Sequence, residues 1–184
     1  FRVDPTTGDR QVVSDASTGT GTPFSSVFGP SGVETSPDDG SIIILDIEAE
    51  PPDFINQFYL VFSVNPISGN RQELSGESFG SGTPFNSPTD LTLDQSGIFV
   101  ADPINGIVYV DPANGARTIF SADGSRGNGP AFGVPNAVVM ERAPLVPDNG
   151  NGNGDDDFTL FPDVLQVNGV GDLDFDETLG FTGI

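Results

Sequence analysis

The side chains in this chain that could do chemistry are carboxylates. Asp172, Asp174 and Asp176 alternate in the run DLDFDE, and Asp155, Asp156 and Asp157 stand together after an Asn-Gly run. Hard oxygen ligands suit calcium, and Asp at positions 1, 3 and 5 is how a calcium loop opens. The rest of that loop departs from the pattern: Glu177 stands where a glycine is needed, and Gly183 where a bidentate Glu belongs. The same residues also read as a strand with Leu173 and Phe175 inward and the three Asp outward. Grouped carboxylates repel one another, so a bound cation would stabilise either cluster. Both clusters are therefore candidate calcium sites.

Other chemistry is narrowed by residue types. The chain has no Cys and no His. That removes disulfides, a thiol nucleophile, the commonest general base and the commonest transition-metal ligand. The net charge is −21, from 27 acids and 6 bases, and all the bases are Arg (2, 10, 71, 117, 126 and 142). Such a chain cannot neutralise phosphates, which argues against nucleic acid and anionic membranes as partners. It favours divalent cations, salt-rich water or a basic partner. Asp46 and Asp102 end equivalent apolar runs. They precede turns, where an Asp caps backbone N–H groups. The pairs Asp38–Asp39 and Glu48–Glu50 read as solvated turns. No nucleophile, phosphate-loop or cofactor motif is present.

The elements that must position these residues are short strands. Residues 91–94 alternate apolar and polar, 98–101 are continuously apolar, and 107–110 and 117–121 follow after Asn-Gly turns. Together they predict four antiparallel strands, with the second covered on both faces. Residues 31–34, 41–46, 58–62 and 72–75 predict a second such unit. The motif V-[DN]-P-x-x-G-x-R occurs three times, at Val3–Arg10, Val64–Arg71 and Val110–Arg117. A Gly-x-Gly segment ending in Phe follows each copy, at 19–24, 80–85 and 127–132. The copies are 61 and 46 positions apart, the longer spacing holding an insertion around 49–53. Three of the six Arg lie in this motif, where each is expected to brace a turn or pair with an Asp.

A period of this size, with four strands per unit, indicates β-propeller blades. The order GxGxPF, Pro, alternating strand, D-x-x-G, apolar run ending in Asp, then VDPxxGxR resembles the NHL-type, six-bladed-like propeller repeats of secreted bacterial proteins. The resemblance covers about residues 1–140 and implies a fold, not an activity, because this architecture hosts lyases, lactonases, sugar-binding modules and structural parts. The lactonase-type likeness would use carboxylates and amides around a divalent metal, and in catalytic propellers positions such as Asp46 and Asp102 can line the central channel and hold it; the lyase type relies on His, which this chain lacks.

The expected organisation is all-β: a propeller-like array of four-stranded antiparallel blades in 1–144, then an acidic Gly/Asn-rich linker with C-terminal strands in 145–184. The array starts in mid-repeat, with 1–3 and 11–14 as third and fourth strands, while 136–140 would open a further blade. Residues 158–161 and 164–167 have strand character. An incomplete array leaves sheet edges open, so the chain is a fragment, or the half-blade is completed by its own tail, or by a neighbouring copy through strand exchange. The chain begins with Phe1, which indicates a removed leader or a longer parent. No run of 18 apolar residues exists, so no membrane-spanning helix is expected. The functional expectation is an extracellular or cell-surface, non-catalytic structural or adhesive protein that self-associates into an oligomer or filament, with calcium as its ion and a glycan or cell surface as a further partner. The alternative is part of a larger secreted propeller that binds a small molecule or glycan, or acts as a metal-dependent hydrolase or lyase, with 49–57 as a binding loop.

Overall fold

The computed structural model describes residues 1–49, 57–141 and 164–169. The described residues form β-strands and turns. Strand β1 (Arg2–Val3) and β2 (Arg10–Gln11) make a hairpin. Four strands follow as one antiparallel sheet in sequence order: β3 (Gly29–Thr35), β4 (Ile42–Ala49), β5 (Gln57–Val64) and β6 (Arg71–Ser75). A second four-stranded sheet repeats this order with β7 (Asp90–Asp94), β8 (Gly97–Asp102), β9 (Gly106–Val110) and β10 (Arg117–Ser121). Finally β11 (Pro135–Glu141) pairs antiparallel with β12 (Val164–Gly169). The expected strands of both units are therefore present, and the fold is all-β and antiparallel. Among the described residues no helix is long and apolar enough to cross a membrane.

The turn motif explains why the strands stop where they do. After β9, Asp111 Oδ1 accepts from the Ala113 N–H, while the Gly115 N–H donates to the Asp111 carbonyl. The Asn65 and Asp4 side chains do the same work after β5 and β1. In each copy the glycine closes the turn at positive φ, between 72° and 77° at Gly8, Gly69 and Gly115, a region that a Cβ disfavours.

The core lies between the sheets. Ile43, Leu45 and Val61 of the first pack on Leu91, Leu93, Ile98, Val100, Val108 and Val110 of the second. The opposite face of the second sheet is covered by β11, with Phe99, Ala101 and Ile107 meeting Val138. Strand β8 is thus buried along its whole length. This accounts for its unbroken apolar run, since a strand covered on both faces has no polar side to show. The tail strand β12 extends β11, and it does not join the β1–β2 hairpin of its own chain.

Candidate functional site

The buried polar side chains gather where one unit meets the next. Arg117 of β10 is 7% exposed. It reaches back to the loop that follows β6. Its Nη1 donates to Ser75 Oγ at 2.7 Å and to the Gly76 and Phe79 carbonyls at 2.8 and 3.3 Å, while Nε donates to the Thr83 carbonyl at 2.8 Å. The guanidinium lies 5.4 Å from the centre of the Phe85 ring, within cation–π range. Arg71 of β6 repeats the arrangement one unit earlier. It donates to Ser14 Oγ and to the carbonyls of Asp15, Thr18 and Thr22, and it sits 5.3 Å from the Phe24 ring centre.

Each serine is held from both sides. Ser75 Oγ donates to the Gly115 carbonyl, and Ser14 Oγ to the Gly69 carbonyl. Backbone closes on backbone beneath these contacts. A Cβ on Gly80 or Gly82 would collide with the carbonyls of Gly115 and Arg117, and one on Gly19 or Gly21 with those of Gly69 and Arg71. The Gly-x-Gly segment is glycine because the neighbouring strand passes where side chains would stand.

Strand register places arginine and serine on opposite sides. In β6 the register slips so that Leu74 is an extra residue between Glu73 and Ser75, and in β10 Phe120 is extra between Ile119 and Ser121. Side chains four apart on a regular strand share a face. The bulge reverses that alternation. Arg71 therefore faces the preceding unit, and Ser75 the following one.

Asp46 and Asp102 complete the junctions. Asp46 Oδ2 accepts from the Ser25 N–H at 2.7 Å, and Asp102 Oδ2 from the Asn86 N–H at 2.8 Å, the residues just after the two Phe. Asp102 also caps its own turn through Oδ1, which accepts from the Ile104 and Asn105 N–H groups. At Asp46 no tight turn follows, because β4 runs on to Ala49 and the longer β4–β5 connection begins there. Its Oδ1 is buried without a partner among the described residues. Burial accordingly pushes the Asp46 carboxyl above its ordinary value, with the Glu48 charge adding to the shift and the Ser25 and Ile47 N–H groups opposing it. Burial likewise pulls the Arg117 guanidinium below its ordinary value.

Comparison with family models, curated proteins and solved structures gives no match. The geometry alone therefore carries the functional reading.

Of the residues singled out from sequence, Asp46 and Asp102 are brought to equivalent places and used as backbone caps. Arg71 and Arg117 brace turns, as expected, but the turn belongs to the preceding unit and the acceptors are carbonyls and a hydroxyl rather than Asp. Asp155, Asp156, Asp157, Asp172, Asp174 and Asp176 lie outside the described residues, as do Glu50 and most of the 49–57 insertion. Sequence reading passed over Ser14 and Ser75. The available signal was R-x-x-x-S, which recurs at Arg10–Ser14, Arg71–Ser75 and Arg117–Ser121.

Proposed function

We propose that this chain is a non-catalytic structural protein of the cell exterior. In this reading it is a propeller-like array of antiparallel blades that associates with itself by strand complementation. The observation that carries it is the repeated junction. Arg71, Ser75 and Arg117 are buried polar residues that bond to groups of an adjoining unit or its loop, while the buried Asp46 and Asp102 hold the segments that lead from those loops into their own sheets. Buried, hydrogen-bonded charge of this kind fixes how units sit against each other. The excess of acids over bases, without a single Lys, suits a soluble surface in salt-rich water. Calcium held by Asp155, Asp156 and Asp157 or by Asp172, Asp174 and Asp176 is the ionic part of the same proposal.

Light scattering with negative-stain imaging of the full chain tests it. Particles larger than the 19.2 kDa monomer, growing with concentration, are expected. A monomer at every concentration overturns the proposal.

A further inference from the structure

The central strands of the two sheets differ in length. In the second sheet, β8 and β9 stop at the Asp102–Gly106 pair. In the first, β4 and β5 continue past the equivalent Asp46–Leu60 pair, through Ile47–Tyr59, Glu48–Phe58 and Ala49–Gln57. The three added pairs make an overhang of about 10 Å. It stands beside the 76–85 loop, and between them lies a cleft of about 290 Å³. Gln57, Phe58 and Tyr59 of β5 line it, with Glu77 and Phe85 of the loop and Arg117 of β10.

The junction leaves part of Arg117 unused. Its four hydrogen bonds engage Nε and Nη1, and Nη2 has no partner among the described residues. Among those residues the buried side-chain atoms that lack a partner are Asp46 Oδ1 and Glu73 Oε1. Nη2 is therefore not sealed off. Although Arg117 is only 7% exposed, this nitrogen opens on the cleft that the residue lines. Gln57 supplies further donors. Tyr59 Oη donates to its Oε1 at 2.8 Å, which turns the amide so that Nε2 is left for a ligand. Glu77 is exposed at the rim, and its carboxylate can only accept.

These groups select a chemical class. A carboxylate or phosphate would satisfy both donors but would meet the Glu77 charge, on a chain of net charge −21. An ammonium would meet Arg117. A hydroxyl both donates and accepts, so neighbouring hydroxyls can link the Arg117 and Gln57 donors to Glu77. The Phe58 and Tyr59 rings offer apolar surface to C–H groups. A neutral ring with hydroxyls at its rim and C–H groups on its face is a sugar. The volume is at the small end of ligand sites, which suits a terminal sugar better than a long chain.

We propose that this cleft is a carbohydrate-binding site for a neutral terminal sugar. Arg117 Nη2 and Gln57 Nε2 donate to its oxygens, Glu77 accepts from its hydroxyls, and Phe58 and Tyr59 meet its C–H face. The arginine that joins the two units also holds the ligand. The site lies within one chain and is independent of the self-association proposed above.

Saturation-transfer NMR on the full chain tests it, with D-glucose, D-galactose, D-mannose, N-acetyl-D-glucosamine and D-glucuronate as probes. At least one neutral sugar should bind at millimolar concentration, more tightly than glucuronate does. Losing a hydrogen bond to a charged group weakens binding by about 10-fold or more, so Glu77→Ala should do so. Gln57→Ala, which removes a neutral donor, should weaken it by about 3-fold or more. Both side chains are exposed, and the urea midpoint of each variant should match that of the wild type. Asp38→Ala, an exposed change at the opposite end of β4, should leave the affinity unaltered. Absence of binding by all four neutral sugars overturns the proposal. So does tighter binding of glucuronate, or an affinity that Glu77→Ala and Gln57→Ala leave unchanged. Light scattering reads self-association separately, and none of these outcomes decides it.

Discussion

Replacing Arg117 by Ala should be among the most damaging single changes to the fold. The side chain makes four hydrogen bonds, and three of its acceptors lie within 2.8 Å of a guanidinium nitrogen. A hydrogen bond to a charged partner is worth about 1.5–3 kcal/mol net. The four share one guanidinium and one loop, so their energies do not add. Counting only the two carbonyls at 2.8 Å, those of Thr83 and Gly76, gives a loss of at most about 3–6 kcal/mol. For a chain of this size that lowers the thermal midpoint by about 10 °C. Arg117→Lys keeps a charge but not the planar fork, and about half the loss should remain. Thr118→Ala, at an exposed neighbouring position on β10, serves as control and should cost less than about 1 kcal/mol. Urea unfolding followed by circular dichroism in dilute solution measures all three, with an unchanged m-value for a two-state loss. If Arg117→Ala unfolds at the same urea concentration as Thr118→Ala, the clamp does not hold the two units together.

Gly80→Ala drives a methyl into the Gly115 carbonyl at a φ of 88°, and about 2–4 kcal/mol should be lost in the same urea assay. Gly124→Ala has a similar φ of 68° but open space around it, so about 1 kcal/mol is expected. Asp102→Asn weakens a carboxylate that accepts from the N–H groups of Asn86, Ile104 and Asn105, and should cost about 1–3 kcal/mol at neutral pH. Asp46→Asn should behave differently. The folded state raises the Asp46 pKa, so that residue favours folding below its unfolded pKa and loses this contribution as pH rises through the folded value. Wild type minus Asp46→Asn stability should therefore fall from acidic to neutral pH; a flat difference refutes the assignment. If either acidic cluster holds calcium, EDTA should lower the thermal midpoint of the full chain and added calcium restore it, whereas an unchanged midpoint removes the ion from the proposal.

The strands and turns were legible because local chemistry decides them. Alternation at 91–94, the apolar run at 98–101 and the V-[DN]-P-x-x-G turns each specify structure within a few residues. The junctions were not legible. Arg71 lies 57 positions from Ser14, whereas Arg117 lies 42 from Ser75. The insertion between β4 and β5 breaks the constant offset that would have linked them. The motif itself places the arginine beside its own turn, while its guanidinium serves the loop of the unit before. Nor does residue type tell Asp46 from Asp102. Both end an apolar run, and only the tight turn after Asp102 gives its second oxygen a partner.

The bulged strand has a mechanical meaning. Arg71 and Ser75 lie on the same five-residue strand, one gripping backward and the other gripped from ahead. Tension applied along an array of such units would pass from junction to junction through this single strand. The hydrophobic core between the two sheets would share that load. Pulling one unit from the next should therefore break the arginine latch and the core together, so that a junction yields as a single event.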